Sequence, residues 1–113
     1  MWAIENSASS NSSNLRGNMV FKGEILADLL NRIHDVTDVS PKEVIADIRE
    51  VRVTTARWIA IIALRRRGKT TRQIGDMMKR DYRAIGRMVH RSRREYEENA
   101  GFRALVDEVM RDS

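Results

Sequence analysis

Residues 70–96 read TTRQIGDMMKRDYRAIGRMVHRSRREY, and the string resolves into two helices separated by a tight turn. Thr70 followed three positions later by Gln73 is a capping-box pattern, in which each side chain satisfies the other residue's free backbone N–H. Ile74, Met77 and Met78 then supply one apolar face. Lys79-Arg80-Asp81 interrupts that periodicity, and Asp81 is placed to cap a second helix from Tyr82 to about Tyr96. Ile85, Met88 and Val89 form one stripe of this helix, while Arg83, Arg87, Arg91 and Arg94 form another at spacings of four, four and three.

No acid occurs from Tyr82 through Arg94, so these arginines repel one another by a few tenths of a kcal/mol per close pair. A polyanion would offset that cost. A helix of roughly nine residues, a three-residue turn and a longer helix have helix-turn-helix spacing. A second helix with one apolar side and one arginine side suits the DNA major groove. Any helical hairpin alternates apolar and polar faces; the uncompensated charge is what favours the DNA reading.

Upstream, Ala56–Arg67 (ARWIAIIALRRR) is apolar for two turns and basic in its last, with Gly68 placed to end it; this is the expected central core helix. Ile48–Val53 (IREVRV) alternates like a strand but has no evident partner, so it is read as a basic loop before Thr54 or Thr55 caps the core helix. Ser40-Pro41-Lys42-Glu43 is a capping box with proline at the first helical position, and it starts a short helix to about Asp47 with Val44 and Ile45 buried. Ile25, Leu26, Leu29, Leu30 and Ile33 mark a helix from about Gly23 to Asp35. The Ser- and Asn-rich residues 1–18 read as a flexible tail, leaving 19–113 as the helix-turn-helix domain.

Downstream, Glu95, Glu97 and Glu98 reverse the charge, Asn99–Gly101 is a break, and Phe102–Met110 (FRALVDEVM) is a final amphipathic helix. The expected fold class is therefore all-α, a small helical bundle containing a helix-turn-helix.

Composition agrees. The 113 residues suffice for one core, with 42% hydrophobic residues and one proline. Between Arg49 and Arg94 stand fifteen basic and three acidic side chains, a local charge of +12 against +5 for the chain, so the remainder carries −7. Such bipolarity focuses positive potential on part of the surface. There is no cysteine, which excludes disulfides and thiolate chemistry. The longest apolar run, Trp58–Leu64, has seven residues, against roughly 20 for a membrane span. With no secretory signal pattern, a cytoplasmic location and no membrane partner are expected. His34 and His90 are the only histidines and have no suitably spaced second ligand or base. Gly68-Lys69-Thr70 lacks the upstream glycine and strand of a phosphate-binding loop. No catalytic residues, metal or cofactor are expected, and no enzymatic activity.

The stretch from about Gly23 to Asp112 resembles the C-terminal DNA-binding domain of DnaA-type bacterial replication initiators, whose fold is related to the tryptophan repressor. Val44-Ile45 stand where that family has paired leucines, Ile48–Ala56 occupy its basic loop, Arg57-Trp58 its Arg-Gln position, and Ile74-Gly75-Asp76 its next helix. Arg80-Asp81-Tyr82-Arg83-Ala84-Ile85 sit on its signature Arg-Asp-His-Thr-Thr-Val, with one residue fewer in the turn. The resemblance implies that Arg57, closing the basic loop 48–57, enters the minor groove, and that Asp81, Tyr82, Arg83 and Ala84 approach bases. Tyr82 in place of His and Arg83-Ala84 in place of the Thr pair change the donors and methyl contacts, which implies a target other than the family's usual origin box.

Arginine pairs bidentately with guanine, which makes Arg83 and Arg87 the expected base readers. Arg49, Arg52, Arg72, Lys79, Arg80, Arg91 and Arg94 are expected at phosphates. Arg65–Lys69 fit either DNA contact or solubilisation of a buried helix's end. The expected function is sequence-specific binding of double-stranded DNA in replication or transcription control, without ATPase activity. A homodimer or contact with a replication protein is compatible with it. The rival is a protein-interaction module whose basic face takes an acidic partner; single-strand recognition is disfavoured by the scarcity of aromatics.

Overall fold

Six helices follow one another: α1 (Lys22–Thr37), α2 (Pro41–Ile45), α3 (Val51–Arg66), α4 (Thr71–Met78), α5 (Tyr82–Glu98) and α6 (Ala100–Met110). The computed structural model describes residues 22–111. Residues 1–21 and 112–113, and with them the expected tail over 1–18, lie outside the described residues. No strand occurs among the described residues, and no helix there is long and apolar enough to cross a membrane.

The bundle is organised on α3, which is apolar around most of its circumference and is therefore enclosed. Val53, Ala56, Ile59, Ala60, Ile61, Ala63 and Leu64 are fully buried, and α3 packs against each of the other five helices. Leu29 and Ile33 of α1, Ile74 and Met78 of α4, Ile85 of α5, and Phe102, Val106 and Val109 of α6 complete the core. Trp58 meets the Phe102 ring edge-on at 6.4 Å. A buried Leu or Ile contributes about 1.5–3 kcal/mol, whereas an exposed ion pair gives about 0–1 kcal/mol. Ion pairs such as Arg52–Glu43 and Arg94–Glu98, each with an exposed partner, are secondary to this core.

Local signals operate at the helix ends. In α2 the Ser40 hydroxyl accepts the Glu43 N–H at 3.2 Å, and the Glu43 carboxylate accepts the Ser40 N–H at 3.0 Å. Glu43 also takes a hydrogen bond from Arg52 at 2.8 Å, and the Ser40 N–H together with Arg52 holds its carboxyl below the ordinary carboxylate pKa. The Thr70–Gln73 box has the same geometry at the start of α4, with distances of 3.1 and 2.9 Å. Gly68 at φ 86° ends α3 as expected, since that left-handed conformation carries no Cβ penalty only for glycine.

α1 and α5 each run two residues past the expected end, to Thr37 and Glu98, and three other boundaries differ from the sequence reading. The segment expected as a loop through Val53 is already helical from Val51, with the Thr54 N–H donating to the Glu50 carbonyl at 2.8 Å. Burial of Val53 against the core outweighs the β-branched alternation of 48–53, and only 46–50 remain outside helices. α2 stops at Ile45 rather than Asp47 because Ala46 is extended at ψ 160°. The break expected over 99–101 contracts to Asn99, whose side-chain oxygen accepts the Phe102 N–H at 3.0 Å, so α6 starts at Ala100.

The turn between α4 and α5 folds tightly back on α4. Lys79 takes the left-handed conformation at φ 58°, and the Arg80 N–H donates to the Gly75 carbonyl at 2.9 Å. A Cβ on Gly75 would lie 2.7 Å from the Arg80 carbonyl oxygen and 3.4 Å from the Tyr82 Cα. In an ordinary helix Gly→Ala is stabilising by about 1 kcal/mol; here the clash is with backbone, which cannot rotate away. Gly75→Ala is expected to lower the unfolding free energy by about 1–3 kcal/mol. Gly86→Ala, with nothing within 4 Å of the added carbon, is expected to raise it by about 0.5–1 kcal/mol. Urea denaturation of both variants reads the opposite signs.

Candidate nucleic-acid interface

The arginines of the basic segment divide into two populations. Arg57 is buried at 4% exposure. Its Nε donates to the Val44 carbonyl at 2.9 Å, and one terminal nitrogen donates to Ala46 at 2.7 Å and Ile48 at 3.1 Å. These carbonyls lie at and just beyond the C-terminus of α2, where no further helical N–H is available. The guanidinium supplies the missing donors and complements the partial negative charge there. Burial and the nearby Arg80 lower the Arg57 pKa, and Asp47 partly offsets them.

Arg80 joins the same cluster. One terminal nitrogen donates to Ala46 at 2.8 Å and to Ile45 at 3.3 Å, so two guanidinium groups share the Ala46 carbonyl. Its Nε is buried without an acceptor, a cost of about 1–3 kcal/mol that the tie between the 79–81 turn and the 46–50 loop must exceed. Arg57, expected at a minor groove, is committed in this structure to three internal carbonyls and supports the backbone there. Arg80 is half-buried in a similar role.

Other expected residues are partly engaged. Arg52 pairs with Glu43 at 2.8 Å and with Glu50 at 3.4 Å, which raises its pKa through the Glu43 hydrogen bond first. Arg94 pairs with Glu98 at 3.4 Å, one turn beyond the acid-free stretch. Arg49 is exposed and lies 3.8 Å from Asp47.

The second population is on α5. Asp81 caps this helix, its carboxylate accepting the Arg83 N–H at 2.8 Å. Arg83, Arg87 and Arg91 are exposed, and none has a carboxylate partner among the described residues. Ile85 and Ser92 on the opposite side are fully buried, so packing fixes which side of α5 faces outward. The Tyr82 ring carries the Arg72 guanidinium at 4.1 Å from its centre and that of Arg83 at 5.4 Å. Cation–π attraction of about 0.5–1 kcal/mol at such exposed sites orients both side chains at the N-terminus of α5. Arg72, Tyr82 and Arg83 line an open groove of about 400 Å³ with Asp76, Arg80 and Asp81. Ala84 is half-buried and Lys79 exposed.

His90, expected as a DNA-facing or surface side chain, is exposed on α5, and so is Arg93, which the expected set did not include. His90 follows Arg87 by three positions, so helical spacing was the signal for it. Among the described residues no three His, Asp or Glu side chains group to hold a metal ion. No family model, curated protein or solved structure matches the chain.

Arg57→Ala is expected to cost about 2–4 kcal/mol in urea denaturation, by leaving buried carbonyls without donors. Unchanged stability would show that the carbonyls around the end of α2 do not depend on this guanidinium.

Proposed function

We propose that the chain binds double-stranded DNA sequence-selectively, with α4, the 79–81 turn and α5 acting as a helix-turn-helix and α5 lying in the major groove. The observation that carries this reading is the row Arg83, Arg87 and Arg91: exposed, spaced by one helical turn, and without acidic partners among the described residues. Self-repulsion along such a row is offset when phosphates and base edges accept its N–H groups. A helix with its other side held in a core presents that row without further ordering of its backbone, leaving only the arginine side chains to be ordered on binding.

In this reading Arg83 and Arg87 contact base edges. Arg72, Lys79 and Arg91 take phosphates, with Arg49 reaching the backbone from the 46–50 loop. Arg52 and Arg94 contribute after exchanging their carboxylate partners, which makes them weaker contributors. Tyr82 adds a phenolic hydroxyl at the first helical position, where a recognition helix meets bases. Control of replication or transcription is the setting implied by the resemblance to initiator domains.

The direct test is selection from a random duplex library at about 150 mM salt, where nonspecific electrostatic binding is weakened. Enrichment of a motif of roughly one helical turn, about 10 base pairs, is the expected result. Little retention of any duplex would sink the reading and leave the acidic-protein alternative. Arg83→Ala is expected to relax discrimination at one or two positions, by about 1–3 kcal/mol against the preferred site. Arg91→Ala should weaken all duplexes alike and reduce the slope of log affinity against log salt by about one unit. Filter binding on matched and scrambled duplexes distinguishes the two effects.

A further inference from the structure

The inward positions of α5 run through Ile85, Val89, Ser92 and Tyr96, at spacings of four, three and four. Position 92 faces α3 and holds a serine. Ser92 is fully buried and its hydroxyl donates to the Val89 carbonyl of its own helix at 3.1 Å. Beside it a cleft of about 230 Å³ lies between α3 and α5, lined also by Ile61, Ile62, Val89 and Tyr96.

The mouth of this cleft carries Arg65, Arg66 and Arg93. Arg65 donates to the Lys69 carbonyl at 2.8 Å, Arg66 lies over the Tyr96 ring at 4.6 Å, and Arg93 is exposed. None of the three has a carboxylate partner among the described residues. An apolar slot ringed by uncompensated cations selects an apolar group surrounded by negative charge.

Size narrows the occupant. An apolar cavity of about 150 Å³ admits benzene, whereas sites for whole small molecules span about 300–1,000 Å³. The cleft therefore accommodates one large side chain, with the surrounding arginines left for carboxylates on flanking residues. Stacked bases of a duplex offer no group that enters such a slot. We propose that the α3–α5 cleft docks a short acidic segment of a partner protein, inserting one large apolar side chain over Ser92. This surface is distinct from the Arg83–Arg87–Arg91 row and stands whether or not that row binds DNA.

The test uses the full chain and a fluorescent peptide, Asp-Glu-Asp-Trp-Leu-Glu-Asp-Glu, read by anisotropy. Saturable binding is expected, with an affinity loss of about tenfold or more when Trp-Leu is replaced by Ser-Gly, as for removal of an anchor. Ser92→Leu, which places a larger side chain at the cleft, is expected to cause a similar loss. Arg93→Glu, at an exposed position on the cleft mouth, is expected to cost about fivefold or more and carries the test should Ser92→Leu misfold. Equal binding of the Trp-Leu and Ser-Gly peptides would show charge attraction alone and overturn the proposal. So would undiminished binding by a folded Ser92→Leu protein. Absence of peptide binding, with a single-stranded oligonucleotide bound in a Ser92→Leu-sensitive way, would assign the cleft to nucleic acid instead.

Discussion

Three carbonyls around the end of α2 receive the guanidinium of Arg57, and the Ala46 carbonyl receives Arg80 as well. α2 has five residues, too few to satisfy its own C-terminal acceptors. Arg57 reaches them from α3 and Arg80 from the α4–α5 turn, so a single cluster of carbonyls joins three parts of the chain. The position of the turn relative to the central helix, and with it the direction of α5, depends on this arrangement. Arg103 repeats the device at the end of α5, donating to the Tyr96 and Glu97 carbonyls at 2.9 Å each. The Tyr96 hydroxyl adds a 2.8 Å bond to Asp107, fastening α5 to α6.

A basic segment of this kind therefore cannot be treated as a uniform charged surface. Arg57 and Arg80 hold backbone, Arg52 and Arg94 are paired with acids, and the row on α5 is left to interact outward. Like charges placed close together cost energy, and the molecule tolerates the two inner cations because orphan carbonyls accept from them. The outer row has no such internal compensation. That contrast, rather than the net charge, is what the proposed function of α5 rests on.

Two sides of α5 carry different chemistry because they have different neighbours. Toward solvent the spacing of four presents arginine after arginine, suited to a regular array of acceptors. Toward α3 lies the cleft beside Ser92, with apolar walls and with Arg65, Arg66 and Arg93 among its lining residues. The two proposed contacts, a regular polyanion on the first surface and a single anchored side chain on the second, use different sides of the helix and do not exclude one another.

Periodicity and caps written in the chain determined the helices: the Ser40–Glu43 and Thr70–Gln73 boxes, Asp81 before α5, Gly68 after α3, and the apolar density of 58–64 that made α3 central. These are interactions among residues a few positions apart, so their spacing alone specifies them. The exposed face of α5 was legible for the same reason. Tertiary structure decided where IREVRV changes from loop to helix, because burial of Val53 depends on what packs there. It also decided which arginines are internal. The acceptors of Arg57 lie nine to thirteen positions away and those of Arg80 thirty-four and thirty-five, and no local pattern marks a carbonyl that folding leaves without a donor. The cleft beside Ser92 belongs to the same class: a serine in a core stripe is visible in sequence, but only the packing of α3 against α5 places Ile61, Ile62, Val89 and Tyr96 around one opening.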